Sequence, residues 1–220
     1  MYDVSPVTWG TPYGSTFEPV TVGSGSVYCK GGAALRVTSD VVVLDGGTIA
    51  MDGGTSNSGG GAGGSVWLTT RVLRGSGGSI SAAGGSAGTG SGRAGGGGGR
   101  VAVYCNTSEY VGTWSGFSGL PAVSVSGGHS VTASRHGGSG TAYFECGEAS
   151  RALVLRSADS GYTAHTTNLV DVGMSSYAFD HIRLYNKVRL GFTPTGLGGP
   201  WVVTVSVASF GGDQTGTLHV

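Results

Sequence analysis

The sequence predicts an all-β protein, a right-handed parallel β-helix or solenoid with glycine-rich excursions. Three observations predict it. Helical signals are nearly absent: Leu, Glu, Lys and Gln runs are few, no apolar set recurs at i, i+3, i+4 and i+7, and glycine falls almost everywhere a helix interior would lie. Strand signals abound, as short segments rich in β-branched and aromatic residues bounded by Gly, Ser and Asp. The chain also repeats its own texture at a fixed shift. One such unit cannot bury its apolar face alone, so the copies must stack.

Taken in order, residues 1–32 read as an N-terminal cap or docking segment, turn-rich at "GTPYGSTFEP" and carrying Trp9, Pro12, Tyr13 and Phe17. Residues 33–150 read as solenoid rungs. Setting "LRVTSDVVVLDGGTIAMDGG" from Leu35 above "VWLTTRVLRGSGGSISAAGG" from Val66, a shift of 31 residues, brings Val37 onto Leu68, Val41 onto Val72 and Ile49 onto Ile80. A less faithful third copy puts Val101 and Val103 in the places of Val66 and Leu68, and Trp114 in that of Ile80. Each unit is a strand, a tight turn, a second strand, a glycine pair and a glycine-rich excursion, stacking in parallel at about 4.8 Å. Residues 151–220 read as a C-terminal β element, either further rungs or a small β-sandwich-like element. Glycine thins there, and strands such as "HIRLYNKVRLGF" and "WVVTVSVASF" lengthen.

The excursions "GGTSNSGGGAGG" and "GGSAGTGSGRAGGGGGR" fall at equivalent points of successive rungs. A linker occurs once, between domains. Recurrence at one phase points instead to glycine-rich strands or extended polyproline-like segments packed by main-chain contact. The competing reading is a pair of disordered loops thrown off a solenoid corner.

Composition excludes several classes. The 220 residues include 46 glycines but only 6 prolines and no Gly-X-Y period, which excludes collagen. Twelve basic residues against twelve acidic, at 11% charged, provide no field to draw in nucleic acid or an anionic membrane. No stretch approaches the roughly 18 apolar residues of a membrane helix. The opening "MYDVSPVTWGTPYG" has neither a basic nor an apolar leader region, so the expectation is a soluble chain without a leader or membrane insertion.

Chemistry-bearing residues are sparse. Cys29, Cys105 and Cys146 lack Cys-x-x-Cys spacing and a nearby histidine pair, which points away from zinc. They read as small buried hydrophobes, as one disulfide plus a leftover thiol, or as a bond to a neighbouring chain. Asp45 and Asp52 are the nearest approach to a hydrolase pair, yet turn aspartates that cap their own backbone account for both. His129, His136, His165, His181 and His219 are scattered; Asp180 beside His181 points to the opposite face of a strand. No catalytic, cofactor-binding or metal-binding residue is therefore assigned. Asn106 heads the sequon "NTS" on a loop leaving a strand and is a candidate glycosylation site. Among Trp9, Trp67, Trp114 and Trp201, Trp114 is expected in the core. Trp67 aligns with Arg36, faces out, and is the candidate for stacking on a sugar.

The stretch "GGSVWLTTRVLRGSGGSISAAGGSAGTGSGRAGGGGGRVAVYC" resembles the glycine-rich tandem repeats of large secreted and cell-surface proteins of bacteria and protists. The resemblance spans Ala33 to Cys105 well and Phe179 to Val220 loosely. It implies an extracellular structural or adhesive module. With the unblocked strand-forming end "WVVTVSVASFGGDQTGTLHV", the expectation is a subunit of a filament, surface coat or adhesive stalk. Its partners would be copies of itself stacked head to tail, and glycans. The alternatives are a carbohydrate-binding adhesin module and a β-helix polysaccharide-degrading enzyme.

Overall fold

The computed structural model describes residues 14–89, 93–132, 135–158, 165–171, 173–192, 202–213 and 215–218. Among them there is no α-helix, and the chain winds as a β-solenoid of about 5 turns. The first two turns are β1 (Ala34–Val43) with β2 (Thr48–Ala50), and β3 (Ser65–Ser76) with β4 (Ser79–Ser81). The third is longer: β5 (Arg100–Val111), a small hairpin of β6 (Thr113–Trp114) and β7 (Phe117–Ser118), then β8 (Ala122–Ser124). A second hairpin pairs β9 (Thr141–Cys146) with β10 (Ala149–Arg156). The coil then continues through β11 (Thr166–Leu169), β12 (Ser176–Tyr185), β13 (Arg189–Phe192), β14 (Thr204–Gly212) and β15 (Thr217–Leu218).

The long strands form one seven-stranded sheet in the order β1-β3-β5-β9-β10-β12-β14, and shorter strands form β2-β4-β8 and β11-β13-β15. The repeat shift is the ladder register: Leu35 pairs with Val66, Val37 with Leu68 and Ile49 with Ile80. Val66 and Leu68 in turn pair with Val101 and Val103. Trp114 does not take the place of Ile80, which pairs with Val123. The β6–β7 hairpin is inserted between β5 and β8, turning through Ser115 and Gly116 at positive φ. Trp114 on that hairpin is buried at a different point, against Phe144.

Directly paired residues share a face of the sheet, so the two sides can be traced across it. On one side lie Val66, Leu68, Val101, Val103, Phe144 and Val154, roofed by Ile80 and Val123. On the other lie Leu153, Leu155, Ile182 and Leu184, roofed by Leu169 and Leu190. The change of side happens at the β9–β10 hairpin. Pairing is parallel up to β9, antiparallel between β9 and β10, and parallel again beyond. The second half of the chain is thus further rungs of the same sheet, with strands reversed and the roof moved to the opposite face.

Each half would leave one face of its strands bare, and a segment from elsewhere covers each. Residues 14–22 cross the bare side of the first half. Phe17 packs edge-on to Tyr143 at 4.9 Å, the Tyr104 hydroxyl donates to the Phe17 carbonyl, and Ser65 Oγ donates to the Thr21 carbonyl. The β6–β7 hairpin crosses the bare side of the second half. Phe117 sits 5.3 Å from the His181 ring, and Arg156, stacked 4.4 Å over the Tyr185 ring, donates to Ser115 Oγ.

The glycine excursions pack main chain on main chain. Gly85 N donates to Gly61 O, Gly96 N to Gly85 O and Gly128 N to Gly96 O, each at 2.8–2.9 Å. A Cβ on Gly60, Gly61, Gly63 or Gly64 would lie 1.7–2.1 Å from a neighbouring carbonyl oxygen, and one on Gly95, Gly96, Gly98 or Gly99 at 1.9–2.0 Å. Ala62 and Gly97 are the exceptions, and a Cβ on Gly97 would meet nothing within 4 Å. Two required glycines followed by one tolerant position is the three-residue period of polyproline-type extended chain. These stretches are built into the fold; Gly90, Ser91 and Gly92 lie outside the described residues.

Candidate functional site

The sheet has two edges, β1 and β14, and among the described residues each pairs on one side only. β14 carries no charged residue. β1 carries Arg36 and Asp40, and both are engaged with β3: the Arg36 guanidinium lies 3.9 Å over the Trp67 ring, and Asp40 accepts from Arg71 Nε at 2.7 Å and Nη2 at 2.8 Å. Behind β1 the first core ends in the partly buried Val37, Val42, Ile49 and Met51; behind β14 the second ends in Val203 and Val205. Val207 and Phe210 stand 38% and 48% exposed on β14. An unpaired edge of this kind, without proline or a free charge, is a template for another strand.

The long strands bend at a shared corner. The β1–β3 ladder skips the pair Asp40–Arg71, β3–β5 skips Arg71–Asn106, and β12–β14 skips Asp180–Ala208. Ion pairs pin this column in both halves, Arg71 with Asp40 and Arg151 with Asp180. Hydrogen bonding to the guanidinium holds each carboxyl below its ordinary value. The inward side chain changes phase there, so Val37 and Ser39 precede the corner and Val42 and Leu44 follow it.

Asn106 lies at this corner, exposed and within β5 rather than on a loop leaving it. It borders a shallow open pocket with Glu109, Ser118 and Glu148, where Ser118 Oγ donates to Glu148. Cys105 and Cys146 form a disulfide with a Cα–Cα distance of 4.7 Å, leaving Cys29 as a part-buried free thiol. Trp67 is half-buried against the second core, and the Arg36 guanidinium occupies one ring face, the kind of surface on which a pyranose stacks. Trp9, Trp201 and His219 lie outside the described residues.

Asp45 and Asp52 do not cap their own turns. Asp45 accepts from Ser76 Oγ at 3.0 Å, and Asp52 accepts from Ser81 Oγ and from Ala83 N at 2.6 Å, so both tie the first rung to the second. His129 and His136 come together with rings 4.7 Å apart, and His136 Nδ1 accepts from Ser130 N. Burial pushes the His165 imidazole below its ordinary value. Asp180 reaches Arg151 while His181 packs on Phe117, so the two diverge. Among the described residues no group of three His, Cys, Asp or Glu is placed to hold a metal ion.

Sequence reading missed Asp171, a buried carboxylate whose Oδ1 accepts from Ser15 Oγ at 2.7 Å and Thr16 N at 2.8 Å. A contact spanning 155 residues leaves no local signal. No family model, curated protein or solved structure matches this chain. Its class is defined by the fold itself, a β-solenoid whose main sheet runs, among the described residues, from β1 at one edge to β14 at the other.

Proposed function

We propose that this chain is an extracellular structural protein, the subunit of a filament, surface coat or adhesive stalk assembled by head-to-tail β stacking. One observation carries the reading: among the described residues β1 and β14 are unpaired edges, backed by partly buried apolar residues and without a free charge to repel another strand. Two ends that differ, each able to accept a rung, make a heterologous contact that does not close on itself, and such contacts propagate as fibres. The Cys105–Cys146 disulfide supports an oxidising setting outside the cell. A glycan on exposed Asn106 would project from an interior strand and leave both edges clear.

The test is negative-stain imaging over a range of concentrations, with Val207→Lys as the comparison. The unmodified protein is expected to form filaments that lengthen with concentration. Val207→Lys is expected to remain as dispersed particles with an unchanged far-ultraviolet spectrum. Dispersed particles of unmodified protein at every concentration overturn the reading.

A further inference from the structure

We propose that successive subunits are related by a half-turn about the coil axis, with β1 of one copy pairing parallel to β14 of the copy before it. This inference rests on the head-to-tail reading above and specifies its geometry.

The β9–β10 hairpin sets the relation between the two halves. Strand direction reverses there, and the core passes to the opposite face. Either change alone would invert the hand of the coil; together they preserve it. The second half therefore winds as the first half would after a half-turn about the axis. A copy translated without rotation would bring β1 antiparallel to β14, with its core on the wrong side. Arg36 and Thr38 would then meet the side that carries Val205 and Phe210. A copy given a half-turn, within the accumulated twist of the sheet, sets β1 parallel to β14 and continues the second core into the first core of its neighbour.

The corner fixes the register. Aligning Asp40 with Ala208 places Val37 over Val205, Ser39 over Val207 and Val42 over Phe210. All of these lie on the core-facing side, because Val37 pairs with buried Leu68, Val42 with buried Leu73, Val207 with buried Phe179 and Phe210 with buried Ile182. Pairing either edge antiparallel with itself reverses the order about the corner. The apolar sets then coincide only if the two corners slip by one residue. The half-turn contact has neither defect, and Asp40 meets an alanine instead of a second carboxylate.

The molecule supplies a template for the test. Ser39 pairs with Thr70, Thr70 with Cys105 and Cys105 with Cys146, so Ser39 stands in the column of the native disulfide, whose parallel partners lie 4.7 Å apart at Cα. Ser39→Cys with Val207→Cys, in a Cys29→Ser background, would recreate that geometry between subunits. Oxidation is expected to give a ladder of covalent dimers, trimers and longer chains on a non-reducing gel. Ser39→Cys with Ser206→Cys, whose second thiol faces the opposite side, is expected to give none. Covalent dimers from Ser39→Cys alone would establish head-to-head pairing and overturn the proposal. Filaments without a ladder would overturn the half-turn register while leaving head-to-tail assembly standing; absence of filaments from unmodified protein would overturn both. Images of unmodified filaments give a second readout independent of the variants. The expected screw is close to a half-turn with a rise of about 34 Å per subunit, from seven strands at about 4.8 Å, and a rotation near zero counts against it.

Discussion

Cys146 lies directly across the parallel β5–β9 ladder from Cys105 and is bonded to it, immediately before the turn at which the strands reverse. The bond closes a loop of 41 residues that contains the β6–β7 hairpin and the glycines Gly127, Gly128 and Gly137, which pack main chain on main chain against one another and against the second excursion. Closing a loop of that length removes denatured-state freedom worth about 3–4 kcal/mol. Cys105→Ala with Cys146→Ala is expected to lower unfolding free energy by about that amount in urea titrations. Reductant should produce the same shift in the unmodified protein and none in the variant. A shift much smaller than this would mean that neighbouring rungs already hold the reversal without the covalent tie.

The glycine segments allow a comparison between adjacent residues. A Cβ on Gly96 would lie 1.9 Å from the Gly61 carbonyl oxygen, and one on Gly97 would enter open space. Gly96→Ala must force two main chains apart, at a cost at or beyond the upper end of about 1–3 kcal/mol. Gly97→Ala should be neutral or stabilising by about 0.4–1 kcal/mol, because it restricts the unfolded chain at no steric cost. Thermal unfolding of the two variants checks both statements. Equal behaviour would show that the segments do not pack by main-chain contact.

The first three rungs were legible because each strand there is buried on one main face, so apolar residues recur at a fixed shift. Leu35, Val66 and Val101 mark one column, and the glycine excursions keep step because their tolerance for a side chain repeats with the coil. The reversal was not legible. An alternating pattern reads the same in both chain directions, so Phe144 and Val154 give no sign that one runs against the other. β10 is moreover buried on both sides, Ala152 and Val154 in one core and Leu153 and Leu155 in the other, which erases the alternation that would reveal a face. Trp114 is in the core, as expected, but not in the column of Ile80, because the β6–β7 hairpin lengthens its unit without changing its texture. Of the candidate site, the open end at β14 could be read from its uncharged strand, but the matching corner at Asp40 and Ala208 required the ladder itself.

Phe17 ties the N-terminal segment to both halves, touching Tyr143 of β9 and Tyr177 and Phe179 of β12. Its ring is only partly buried, so Phe17→Ala should cost about 2 kcal/mol, less than the 3–5 kcal/mol of a fully buried phenylalanine. Asp171→Ala removes the acceptor for Ser15 and Thr16 and should loosen the same segment. Limited proteolysis is the measurement. Both variants should be cut faster between residues 14 and 22, while amide exchange in β3 and β5 stays slow. Loss of protection across the sheet in step with cleavage would mean that this segment is part of the cooperative core rather than a strap laid over it.

Acid should act on stability in two separate windows. Burial pushes His165 below its ordinary value of 6.5, so the unfolded chain takes up that proton first as pH falls. Stability present above about pH 6.5 is then lost as pH drops through the folded value and levels off beneath it. Asp40 and Asp180 are held below 3.8 by hydrogen bonds from Arg71 and Arg151, so their contribution persists above that pH and is lost only below it. Both ion pairs are solvent-exposed, so the second decline should be the shallower, and urea midpoints measured from about pH 8 to pH 2 should show it below the first. His165→Leu should abolish the first and retain the second. If the variant still loses stability as pH falls just below about 6.5, another group carries that proton linkage and the assignment to His165 fails.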